Sequence, residues 1–309
     1  LKGFIALCDM CHHIKHLGLT EILASEGKLD YEKVVDNKGR RLIFFGRHAG
    51  IAGMIDTIWA LGKKLEKEGI SSTLSDVKRA LEYESVSRAR EHIAEISRRI
   101  QSEGLPQSLC PLVVGIAGYG NVSRGAQEIL NIFPVREILP QDIRSLFESG
   151  ADVEQKFIYK VVFKEEHTVE PVEHGKEFNL GDFYAHPEKY RGKFEAYLPY
   201  LSVLVNAIYW EPRCPRLVTR DILRKLFSTE EKPRLRVIGD ISCDIEGAIE
   251  CTVKATDPGN PVYTYEPISG TIRENIEKEG VVIMAVDTLP CEIPKESSID
   301  FSSALKPFV

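Results

Sequence analysis

The chain has 309 residues, 43% of them hydrophobic and 28% charged, enough to bury a large core in one or two domains. Its net charge of −6 at pH 7 argues against a nucleic-acid or anionic-membrane partner, either of which would require a basic face. No apolar run approaches the roughly 20 residues that span a bilayer. Seven cysteines, an odd number in a long chain, do not read as a disulfide framework and point to a reducing, intracellular compartment.

The chain opens at Leu1, without methionine, inside a strand-like run (GFIAL), and reads as an N-terminally truncated piece. The next stretch, CDMCHHIKH from Cys8 to His16, offers four chemistries. Haem-c attachment through Cys-x-x-Cys-His needs an exported chain. Zinc would have to be held by two ligand pairs with one residue between them, far closer than in zinc folds. A redox pair needs a thioredoxin-like context. What remains is a histidine acting as acid and base at neutral pH, against the plainer alternative of buried cysteines and surface histidines.

Further along, residues 17–26 carry helical spacing, DNKGRR (36–41) is a turn and RLIFF a strand. The small-residue run GRHAGIAG (46–53) opens a long helix through Lys67. A second helix covers about 84–102, its charges forming a solvated face. From Leu112 the pattern alternates strand and helix: LVVGIAG, VREIL, YKVVF, LSVLVNAI, RLRVIGDIS and VVIMAV. That alternation predicts an α/β protein with a Rossmann-type doubly wound, mostly parallel sheet covered on both faces. The polar insert between YKVVF and LSVLVNAI, EEHTVEPVEHGKEFNLGDFYAHPEKYRGKF, reads as a surface loop.

After the first strand of this series comes GYGNVSRGAQEIL. Gly118 and Gly120 stand where a dinucleotide fold needs a tight turn and a close backbone approach to a pyrophosphate, with Asn121, Val122 and Ser123 opening the helix. Ser123 takes the place of the third glycine, with Gly125 beyond it. An acid for the ribose is expected about 20 residues on. The second strand ends REILPQDIR instead, with Asp142 past its tip and Arg144 close by, which favours a 2′-phosphate and hence NADP(H) over NAD(H).

The runs DYEKVVDNKGRRLIFFGRHAGIAGMID, GLPQSLCPLVVGIAGYGNVSRGAQEI, FYAHPEKY, VLVNAIYWEPRCPRLVT, GDISCDIEGAIE and VVIMAVDTLPCEIPKESS follow in order from about residue 17 to the C-terminus. Carrying these, the chain resembles the lysine–ketoglutarate reductase domain of bifunctional aminoadipic semialdehyde synthases. More distantly it is similar to lysine-forming saccharopine dehydrogenase and alanine dehydrogenase. The resemblance implies a nucleotide-binding Rossmann domain with linker helices over 51–290. It also implies part of an alanine dehydrogenase-like α/β substrate domain over 1–50 and 291–309. It implies condensation of lysine with 2-oxoglutarate to an imine, which NADPH reduces to saccharopine. A fused saccharopine dehydrogenase domain, a homo-oligomer, and a mitochondrial-matrix or cytoplasmic setting are further implications.

By the same resemblance, a His-x-x-Lys pair falls on His12 and Lys15, with His12 as general acid/base, Lys15 as a cation for a substrate carboxylate, and His13 as the alternative histidine. Arg41, with Arg40 beside it, would clamp a substrate carboxylate through the guanidinium fork. Asp244, Asp287 and Leu289 would lie near the nicotinamide, Asn206 and Tyr209 on the adenosine side, and Asp240 would be structural. The runners-up are an NAD-dependent lysine-forming saccharopine dehydrogenase and a catalytically inactive nucleotide-binding regulatory module. Because a lysine expected upstream has no placeable counterpart here, the chain is expected to bind nucleotide and to turn over poorly.

Overall fold

The computed structural model describes residues 31–37, 39–148, 154–229 and 233–308. Helix α1 (Gly46–Glu68) is followed by α2 (Val86–Glu103), β1 (Leu112–Ala117) and α3 (Asn121–Leu130). Then come β2 (Val135–Glu137), β3 (Ile158–Phe163), β4 (Val169–Pro171), β5 (Tyr190–Gly192) and β6 (Val203–Asn206). Helix α4 (Arg220–Thr229), β7 (Val237–Asp240), β8 (Val262–Glu266), β9 (Thr271–Arg273), β10 (Val281–Met284) and α5 (Pro294–Leu305) complete the order. Among the described residues no helix is long and apolar enough to cross a membrane.

Eight strands form one sheet in the order β2-β3-β1-β6-β7-β10-β8-β9. The six from β2 to β10 run parallel, and β8 and β9 add an antiparallel hairpin. Alternate strand residues face opposite sides. Val114, Ile116, Val203, Val205, Val237 and Val282 enter the core under α1, α2 and α3. Val113, Val161, Leu204, Ile238 and Ile283 enter a second core beneath α4. Burial on both faces explains why these strands read as continuous apolar runs.

Helix α2 shows the helical counterpart. Its buried positions Ala89, Ile93, Ile96 and Ile100 recur every three or four residues, and Ser85 caps its start by accepting the Arg88 N–H at 3.2 Å. Helix α1 ends at Gly69, whose φ of 76° lets its N–H fold back onto Glu66 O.

Three expectations need correction. RLIFF is not a strand: Arg41 makes a single antiparallel bridge to Val35 and the chain then enters α1. Alternating apolar residues lacked a sheet to join. The insert is not plain loop, since β4 pairs with β5 and Val169, Phe183 and Tyr190 bury a small core of their own. Residue 50 lies within α1, whose first turn lies against α3. Finally, β2 is the edge strand and β3 is the neighbour of β1, so the second strand in sequence is not second in space.

Candidate functional site

The chain passes from β1 to the edge strand β2 and back to β3 beside β1, then crosses to β6 on the other side of β1. The C-terminal ends of β1 and β6 therefore flank a topological switch point, where open α/β sheets bind ligands. The turn that follows β1 sits there. Gly118 has φ 103°, and its N–H donates to Phe163 O at 2.9 Å. A Cβ on Gly118 would lie 2.6 Å from Ala207 O, so both the backbone angle and the space require glycine. Gly120 differs: it is exposed, and nothing lies within 4 Å of where its Cβ would be. The open space stands directly before the first turn of α3, where Asn121 is exposed and Val122 half-buried. That is a cradle for an anionic group.

Ser123 is fully buried, and its hydroxyl accepts Gln127 Nε2 at 3.0 Å, so it packs the helix and does not face the cradle. Gly125 serves the other side of α3. A Cβ there would lie 2.0 Å from Arg47 O, and one on Gly50 would lie 2.0 Å from Val122 O. Helices α1 and α3 thus cross backbone against backbone, which fixes the start of α3 beneath the turn. Around this crossing Glu128 receives Arg47 through two bonds of 2.6 and 2.8 Å and Arg90 through one of 2.7 Å. The buried His48 ring lies 3.0 Å from Asp300, and burial lowers its pKa.

The far side of the switch point is built from side chains. Asp240, fully buried at the end of β7, accepts Asn206 Nδ2 at 2.8 Å, Thr252 Oγ1 at 2.5 Å and Cys243 N–H at 3.1 Å. Burial pushes its carboxyl up to about 6, against the pull of these donors. Asn206 is buried and occupied: its Nδ2 donates to Asp240 and its Oδ1 accepts the Ile208 N–H at 3.4 Å.

Asp240 anchors a loop in which Cys243 and Glu246 take left-handed φ values of 52° and 50°. This strain at the sheet's carboxyl edge turns Asp244 out to the surface. Burial chiefly raises the pKa of the Cys243 thiol, with Asp240, Asp287 (exposed past the end of β10) and Asp244 adding to it, and its Sγ donates to Ala285 O at 3.0 Å. Tyr209 follows β6 and is 87% exposed. Leu289 is buried against α1, so its side chain belongs to the core.

Arg41 pairs with Glu32 at 3.2 Å and Arg40 with Asp36 at 2.7 Å, both at the surface. His12 and Lys15 lie outside the described residues. Arg144, on which the choice of NADP(H) rested, follows the edge strand and pairs with Glu148 at 2.5 Å. The strand beside β1 is β3, so Arg144 does not follow the strand that neighbours the glycine turn.

One cluster escaped sequence reading altogether. Asp56 in α1 and Glu292 are both buried with their carboxyls side by side, Asp56 Oδ1 accepting Ala80 N–H at 2.7 Å. Burial raises both pKa values, and the Asp56 charge raises that of Glu292 further, whereas Glu292 pulls that of Asp56 down, so the pair retains a proton through neutral pH. The available signal was a lone acid inside the apolar run GMIDTIWALG.

A glycine turn at the switch point of a doubly wound parallel sheet places the chain among Rossmann-type α/β proteins. No protein-family model matches the sequence. The chain is 37% identical over 301 residues to alpha-aminoadipic semialdehyde synthase of Arabidopsis thaliana, covering 94% of this chain and 28% of that protein. It is 31% identical over 313 residues to the mitochondrial alpha-aminoadipic semialdehyde synthase of Bos taurus, covering 94% and 32%. The NAD(+), L-lysine-forming saccharopine dehydrogenase of Yarrowia lipolytica matches at 24% over 297 residues, covering 94% and 63%. The chain is thus a relative of the alpha-aminoadipic semialdehyde synthases, and it spans about a third or less of the length of the curated synthases it matches.

Proposed function

We propose that this chain carries the nucleotide-binding part of an NADPH-dependent lysine–ketoglutarate reductase, which joins lysine and 2-oxoglutarate to form saccharopine. The observation that carries the reading is the Gly118–Gly120 turn, opening at the switch point onto unfilled space before α3. The residues present fit a dinucleotide: two glycines free the approach to its pyrophosphate, and Asp244 and Asp287 reach the surface at the ends of β7 and β10. When bound, the reduced nicotinamide supplies the hydride.

The remaining steps fall to side chains. The lysine amine attacks the keto carbon, a proton moves to the carbinolamine oxygen, water leaves, and the imine carbon accepts hydride to give saccharopine. His12 is proposed to hold and return these protons, with Lys15 and Arg41 binding substrate carboxylates and Arg40 beside them. Asp244 and Asp287 would orient the nicotinamide edge, and Tyr209 would cover the adenosine side. The substrates are small molecules, and the compartment proposed is the mitochondrial matrix or the cytoplasm.

Two measurements on the purified chain test the reading: fluorescence of NADPH on titration, and NADPH oxidation with lysine and 2-oxoglutarate together. Binding is expected, and any oxidation should need both substrates. Absence of binding to either reduced dinucleotide would remove the reading.

A further inference from the structure

The end of β3, not of β2, is where this sheet would meet the adenosine ribose of a dinucleotide on the glycine turn, because β3 is the strand hydrogen-bonded to β1. Ala117 is in register with Phe163, and the N–H of Gly118 donates to Phe163 O at 2.9 Å. The residue level with the glycine turn is therefore Lys164. In an NAD-binding sheet the corresponding strand end presents a carboxylate to the ribose hydroxyls. Here Phe163 is fully buried and Lys164 exposed, and among the described residues the Lys164 ammonium makes no ion pair.

The nearest acid, Glu165, is engaged elsewhere. Its Oε1 accepts the Tyr184 hydroxyl at 2.6 Å and the Tyr119 hydroxyl at 3.5 Å. Glu166 stands 3.7 Å from His167. Burial chiefly disfavours the protonated form of His167; Glu166 opposes it, and Lys193 and Lys164 add to it. Two lysines and two glutamates thus meet at this strand end, and the carboxylate next to Lys164 is drawn onto two phenols. The insert that supplies Tyr184 has its own small core, so this arrangement is held in place.

We propose that Lys164 determines cofactor choice by binding the phosphate on the adenosine 2′-oxygen, so that the site prefers a 2′-phosphorylated dinucleotide. This rests on reading the glycine turn as a dinucleotide site. The contact is a point charge from an ammonium against a phosphate dianion, which favours NADPH over NADH without changing the pyrophosphate cradle.

The test is fluorescence titration of the whole chain with NADPH and with NADH, in the natural sequence and in Lys164→Ala and Glu165→Gln. The expected result is tighter binding of NADPH, lost by at least tenfold in Lys164→Ala with NADH affinity held within twofold. Glu165→Gln should leave both affinities within about twofold, and added salt should weaken NADPH more than NADH. If Lys164→Ala leaves the NADPH-to-NADH ratio unchanged, the proposal is overturned while the dinucleotide reading stands. Loss of NADH affinity in Glu165→Gln would also overturn it, making Glu165 the ribose acceptor. Failure of both dinucleotides to bind the natural chain overturns the site reading and the proposal together.

Discussion

The two sides of the switch point are built from different materials. On the β1 side the site is backbone: glycines at 118 and 120, the start of α3, and the α1–α3 crossing that holds it. On the β7–β10 side it is side chain: a buried aspartate with three donors, a strained loop, and two surface acids whose field reaches one thiol. The first side works by leaving room, the second by holding charge out of water. A substitution on the first should therefore act through volume, and one on the second through protonation and hydrogen bonding.

The largest effect is expected where room is already absent. Gly125→Val would drive side-chain atoms into Arg47 O, since the Cβ alone would lie 2.0 Å away. Neither backbone can retreat without moving a helix, so a loss of about 3 kcal/mol or more is expected in urea unfolding. A change below about 1 kcal/mol would mean that the helices do not meet this closely. Asp240→Asn sits on the other side of the comparison. It keeps shape but turns one acceptor oxygen into a donor facing Thr252 or Asn206, and about 1–3 kcal/mol should be lost. An unchanged unfolding midpoint would show that the network does not hold the loop.

Gly120→Val separates room for a ligand from room for the fold. Nothing lies within 4 Å of the new Cβ and φ is an ordinary −76°, so stability should hold. Dinucleotide affinity should fall at least about tenfold, or 1.4 kcal/mol. Equal affinities before and after would place the pyrophosphate elsewhere.

The difference between the two sides is also what made one legible and the other not. The glycine turn could be read because a local backbone need selects a local residue type at Gly118 and Gly120. The six parallel strands could be read because burial on both faces leaves continuous apolar runs. Strand order is set by crossovers that leave no local mark, and so VREIL was taken for the neighbour of β1 when it lies at the edge. The β8–β9 hairpin went unread because VYTYE and TIR are short. Asn206 was assigned by its place at a strand end, yet its direction follows from Asp240, which arrives from 34 residues later. The Asp56–Glu292 contact joins positions still further apart, and only the fold brings them together.

That pair also supplies the smallest effect and a check on the charge-holding side. Free Asp and Glu titrate near 4, so above that pH the unfolded chain has released both protons. In the folded chain burial raises both pKa values and the Asp56 charge raises that of Glu292 further, with Arg79 the nearby cation pulling the other way. Between the unfolded and the folded pKa the native state binds more protons than the unfolded one, so stability falls as pH rises. Asp56 and Asp240, raised to about 6, contribute this slope between about pH 4 and 6, and Glu292 continues it above. Each proton contributes at most about 1.4 kcal/mol per pH unit. His48, kept neutral by burial, tilts the profile the opposite way below its unfolded pKa, so the informative quantity is a difference between two chains. Glu292→Gln cannot ionise and keeps the shape. From pH 6 to pH 7.5 its urea midpoint should decline less than that of the natural chain, and the gap should widen with pH. Parallel profiles would show that Glu292 ionises normally and that the two carboxyls are not held together away from water.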